Sequence, residues 1–205
     1  MTQSTENRVI SRIYGRGRGW AFSQKDFSHL GSRGAIDLAL CRLARKGTIR
    51  RIIRGLYDYP KFSPLLDRQL SPDIDQAARA IARKFGWRIQ PGGAAALNLM
   101  GLSSQVPGRF LYLSDGPDRS YEIGRTRLQF RHTALKEASF KMPESSILVQ
   151  GLRSLGQDNI TADVIAGIRQ WLDPELRPKI LKDTGIATGW IYEAIRKICA
   201  EGKDG

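Results

Sequence analysis

Histidine and cysteine are scarce in this sequence. There are two of each, His29 and His132, Cys41 and Cys199. Two histidines are too few for a histidine-based metal site or a Ser-His-Asp constellation. No serine sits in the Gly-x-Ser-x-Gly elbow of a hydrolase. The cysteines lie far apart, without a partner at metal-ligand spacing. They read as buried or bystander thiols in a reducing cytoplasm. No apolar run approaches the ~20 residues of a membrane span, and Met1 to Arg12 contain no apolar signal core, so neither a membrane nor secretion is expected. Internal repeats and low-complexity tracts are also missing. These absences argue against an enzyme and predict no cofactor and no metal.

Positive charge is abundant. The net charge is +13, and such a balance implies a polyanionic partner. Its distribution is uneven. Residues 1–61 hold 13 Lys and Arg against four acids, residues 62–142 hold 12 against seven, and residues 143–205 hold eight against nine. Charge kept for solubility would spread more evenly, whereas a nucleic-acid footprint concentrates in this way.

Punctuation divides the chain into three regions. In the first, Val9, Ile10, Ile13 and Tyr14 form one helical stripe, and the glycines of Gly15-Arg16-Gly17-Arg18-Gly19 end it. Trp20 to Phe22 suits a short strand. Ser23, with Asp26 at N3, opens a short helix over 24–27. After a turn at Gly31, a helix runs from Ser32 to Lys46, and Gly47 stops it. Residues 48–53, a turn at Arg54-Gly55 and residues 56–59 predict a β-hairpin ended by Pro60. In the second region Ser71-Pro72-Asp73 marks a helix start with proline at N1. A small-residue helix follows over 94–100, then strands over 109–114, 121–124 and 126–132. Asp115 to Asp118 supply a turn between the first two strands. The third region is helical, over 143–155, 162–172 and from Thr188 onward. The expected fold is α+β. A winged helix-turn-helix spans 1–61. A second domain over 62–205 carries a small antiparallel sheet near 109–132 and a C-terminal helical bundle.

The order helix, strand, short helix, longer helix, hairpin places a second helix where it can enter the DNA major groove. Over residues 32–46 a helix turns ~100° per residue. Ile36, Ala39, Leu40 and Leu43 then share the core face. Gly34, Leu38, Cys41, Arg42 and Arg45 fall opposite, flanked by Asp37 and Lys46. Ser32 and Arg33, at the helix N-terminus, have the best reach into the groove floor. Arg50, Arg51 and Arg54 cluster on the hairpin, which reaches phosphates or the minor groove as a wing. Arginine suits both tasks, because its planar fork pairs with phosphate or with guanine edges. The plainer alternative is that the terminal Arg-Lys only complements a helix dipole. Arg16 and Arg18 sit in a glycine loop that lacks P-loop or dinucleotide spacing. The loop either touches phosphate or is a solvated linker. Asp115, Asp118 and Glu122 cluster around a hairpin and could suggest a nuclease subunit, which wants paired carboxylates for a metal, but Asp115 to Asp118 form a turn sequence first. An RNA-binding winged helix is the other alternative.

The run from Ser32 to Gly47, then Ile49-Arg50-Arg51 and Arg54-Gly55-Leu56-Tyr57 ending in Tyr59-Pro60, resembles the N-terminal winged helix of AbiEi-type antitoxins of type IV toxin–antitoxin systems. Tyr112 to Pro117 and Val149 to Gly156 resemble longer members. The resemblance implies a repressor that binds inverted repeats of duplex DNA upstream of its own operon, as a monomer or a DNA-induced dimer. It also implies an abortive-infection antitoxin that counteracts a nucleotidyltransferase toxin without a stable complex. The resemblance assigns no C-terminal residues.

Overall fold

The computed structural model describes residues 4–103, 108–133 and 140–200. The protein is α+β and divides into two compact units. One holds the residues to Trp87 with 121–125, and the other Arg88–Ser120 with the residues from Thr126 onward.

The first unit is a winged helix-turn-helix with an added helix. It begins with α1 (Thr5–Arg16), β1 (Ala21–Phe22) and a 3-10 helix over Gln24–Leu30, followed by α2 (Arg33–Arg45), β2 (Arg50–Ile53) and β3 (Leu56–Asp58). The strands form one antiparallel sheet in the order β1, β3, β2. Val9 and Ile13 of α1 meet Phe22, Phe27 and the face Ile36, Ala39, Leu40 and Leu43 of α2 in one core. These four are the buried residues of α2, so the expected helical face is the observed one. The 24–27 helix is longer than expected and 3-10 in form. Its start uses the expected capping box, in which Asp26 Oδ2 accepts from the Ser23 amide at 2.8 Å.

Beyond the wing lie β4 (Phe62–Ser63), β5 (Arg68–Gln69) and α3 (Ile74–Phe85). The sequence shows no alternation long enough to predict β4 and β5. Helix α3 does not start with proline at N1. Its N-cap is Asp73, whose carboxylate accepts from the Gln76 amide at 3.0 Å, which leaves Pro72 outside the helix. It packs on the winged helix. Arg83 Nε meets Asp26 Oδ1 at 2.6 Å, and its Nη2 donates to the Ala21 carbonyl at 2.8 Å. One aspartate therefore caps the 3-10 helix and holds α3.

The second unit contains β6 (Ile89–Pro91), α4 (Gly93–Leu99) and β7 (Arg109–Ser114). Strands β8 (Arg119–Ile123, whose last residues group with the first unit) and β9 (Thr126–His132) follow. Helices α5 (Pro143–Leu155), α6 (Ala162–Trp171), α7 (Arg177–Asp183) and α8 (Gly189–Cys199) complete it. The sheet is small, as expected, but its directions differ. β6 is antiparallel to β7, whereas β7 and β9 pair in parallel, Phe110 opposite Leu128 and Tyr112 opposite Phe130. The turn at Asp115 to Asp118 therefore does not close a hairpin between neighbours. Phe110, Tyr112, Leu128 and Phe130 are buried, and the residues between them face outward, the period-2 pattern of a half-buried sheet. Helices α4, α5, α6, α7 and α8 share one core built on Leu148, Leu152, Ile168, Ile180, Ile191, Ile195 and Ile198. Cys199 joins it, and burial pushes its thiol pKa up.

No helix among the described residues is long and apolar enough to cross a membrane.

Candidate nucleic-acid interface

Helix α2 begins at Ser32, whose hydroxyl accepts from the Ala35 amide at 3.4 Å. The cap holds the first turn open to solvent at Arg33. Gly34, Asp37, Leu38, Cys41, Arg42 and Arg45 are all exposed. Leu38 is 51% exposed, an apolar group on an otherwise polar face, where it can meet a thymine methyl. Arg33 reaches Asp37 only at 3.8 Å, and both remain largely in solvent. Arg45 makes no ion pair among the described residues.

Glu6 of α1 modifies this face. Its carboxylate meets Lys46 at 2.7 Å and Arg42 at 3.7 Å. The hydrogen bond from Lys46 lowers the Glu6 pKa most, and the charges of Lys46 and Arg42 add to it. A lowered carboxylate pKa means that the contact is intact above the ordinary Glu pKa and is lost as pH falls through the folded value. Nothing in the local sequence announces this pairing, because Glu6 stands 40 residues from Lys46.

The wing turns at Arg54-Gly55. Gly55 has φ +75°, and an added Cβ would lie 2.9 Å from Lys84 Nζ, so the position suits glycine. Lys84 of α3 thus adds an ammonium beside the turn. Only the tertiary fold brings it there. Arg51 and Arg54 are exposed and without ion pairs among the described residues.

Arg50 does not belong with them. Consecutive strand residues point to opposite faces, and Arg50 points inward. Its Nε and Nη2 grip the Asp58 carboxylate at 3.0 and 2.6 Å, and its Nη1 donates to the Leu70 carbonyl at 2.8 Å. Asp58 is 2% exposed. The expected DNA contact is instead the clasp that closes the base of the wing.

Arg16 and Arg18 flank the end of α1. Arg16 lies 5.8 Å from the centre of the Trp20 ring, and Arg18 lies 4.6 Å from that of Tyr59 and donates to the Pro60 carbonyl at 2.9 Å. Gly19, at φ +92°, donates its amide to the Tyr59 carbonyl at 2.6 Å. The glycine loop is a packed corner between α1 and the end of the wing, and not a loose linker.

Of the residues singled out from sequence, the fold gathers Ser32, Arg33, Asp37, Leu38, Arg42 and Arg45 on one helix face. It presents Arg51 and Arg54 on the wing, and it turns Arg50 inward. Two of the acidic candidates are already hydrogen-bonded. Asp115 accepts from the amide and Nε of Arg88, both at 2.8 Å. Asp118 accepts from the His132 amide at 2.5 Å. Among the described residues no group of three His, Cys, Asp or Glu side chains is placed to hold a metal ion.

A family model described as a family of unknown function (DUF6088) matches residues 8–180. No curated protein matches the sequence.

Proposed function

The chain belongs to the DUF6088 family, and we propose that it is a duplex-DNA-binding repressor that works in the cytoplasm. One observation carries this reading: α2 and the wing present Arg33, Arg42, Arg45, Arg51 and Arg54 outward from a single helix-turn-helix frame. The helix is of a size to enter the B-DNA major groove, where Arg42 and Arg45 can pair bidentately with guanine, while Arg51 and Arg54 meet phosphate. The deep, narrow major groove of A-form RNA does not admit a helix, so duplex DNA is favoured over RNA. The AbiEi resemblance extends the proposal. The operator is an inverted repeat before the protein's own operon, and the second unit supplies the antitoxin activity against a nucleotidyltransferase toxin.

The test is binding of the full chain to duplexes from its own promoter, across a salt series and in competition with structured RNA. Specific binding with a steep salt dependence is expected. Failure to bind any duplex at low salt, or preference for RNA, overturns the reading. Arg51→Ala is expected to weaken all duplexes about equally and to reduce the log–log salt slope by about one unit.

Glu6→Gln is expected to act in the opposite direction. It releases Arg42 and Lys46 from their shared carboxylate and removes a negative charge beside the groove. Binding should tighten, and the salt slope should steepen by about one to two units. The same titration measures both. An unchanged slope would show that neither cation meets phosphate.

A further inference from the structure

The outer face of the second unit carries a charged cleft that no part of the winged helix explains. It has a volume of about 330 Å³ and lies over β7 and β9. Arg109, Arg119 and Arg131 line it. Asp118 is the one acid among the described residues that line it, and that carboxylate already accepts from the His132 amide. Arg109 and Arg131 have no carboxylate partner among the described residues.

Strand register explains how the arginines come together. In the parallel pair, Arg109 stands opposite Arg127, Leu111 opposite Gln129 and Leu113 opposite Arg131. The residues between are uncharged: Leu111 forms an apolar floor, and Gln129 contributes an amide. Arg109 and Arg131 are thus four positions apart along the sheet, about 13 Å at ~3.3 Å per residue. A single phosphate would be served by a tighter cluster. This spacing suits two phosphates of one strand, with sugar and base over Leu111.

We propose that this cleft binds the phosphodiester backbone of single-stranded nucleic acid, gripped by Arg109 and Arg131 and flanked by Arg119. A cleft of this size takes one strand and not a duplex. Guanidinium forks match phosphate oxygens bidentately, and Gln129 and Ser120 add neutral donors. The lining residues all belong to the second unit, and the proposal does not depend on the repressor reading. RNA and DNA strands share the phosphodiester, and the assay separates them.

The experiment is fluorescence anisotropy on the full chain with labelled oligo-dT and oligo-U decamers. Arg109→Ala/Arg131→Ala should weaken the preferred strand by about tenfold per arginine, with the thermal midpoint unchanged because both side chains are exposed. Arg33→Ala/Arg45→Ala/Arg51→Ala should leave strand binding in place. On the unaltered chain, the decamer should shift backbone amide resonances at 109–111 and 129–131. Wild-type affinity in the folded double variant overturns the proposal. So does a shift pattern elsewhere, or a nucleoside 5′-monophosphate that competes as well as the decamer.

Discussion

Arg50→Ala is expected to cost about 3–5 kcal/mol of folding stability, the scale for stripping the partner from a buried charge. Asp58 is almost wholly buried, and the Arg50 fork is its bidentate partner. The substitution also frees the Leu70 carbonyl. Urea denaturation followed by circular dichroism measures the effect. Arg51→Ala, one residue along, should change stability by no more than about 0.5 kcal/mol, as for an exposed surface group. The two neighbours should therefore separate: one change acts on the fold, the other on DNA affinity. Equal midpoints for the two variants would refute the clasp.

The triple variant Arg33→Ala/Arg45→Ala/Arg51→Ala is expected to lose most specific DNA affinity, about 5- to 150-fold for each side chain that reads a base edge at about 1–3 kcal/mol. If all three meet phosphate instead, the loss is sequence-independent, and the salt slope drops by about 0.9 per contact. The variant should fold normally, because none of the three supports the core. In cells it should derepress the operon and still rescue growth from the cognate toxin, since the proposal places that activity in the second unit. Lost rescue in a folded, normally expressed variant would show that the antitoxin activity depends on these arginines.

The fold was legible where burial has a period. The α2 stripe Ile36, Ala39, Leu40 and Leu43 needed only 3.6-residue spacing, and the core uses those four residues. The strands over 109–114 and 126–132 alternate cleanly and form where alternation put them. Their mutual direction was not legible, because alternation is the same for parallel and antiparallel pairs. The turn residues Asp115 to Asp118 favoured the wrong neighbour. The helix face of the candidate site was legible for the same reason as the core. The roles of Arg50 and Glu6 were not. Each is set by a partner whose position only tertiary structure defines: buried Asp58 across the hairpin, and Lys46 at the far end of another helix. Charge counted along the sequence finds where cations are plentiful. It does not distinguish a cation facing solvent from one already held.

The two cores close at different times during synthesis. The winged-helix core takes its buried residues from Val9 to Ile49, so it can form soon after these leave the ribosome. The core of the second unit takes Ile191, Ile195 and Ile198 from α8, against partners that begin at Ala96. It stays open on one side until α8 has been made. At about 5–20 residues per second, the 149 residues from Ile49 to Ile198 take about 7–30 s. A nascent chain therefore passes through an interval with its arginine-bearing helix folded and its helical unit incomplete. On the proposed repressor reading, that helix is available to duplex DNA before the helical unit has closed.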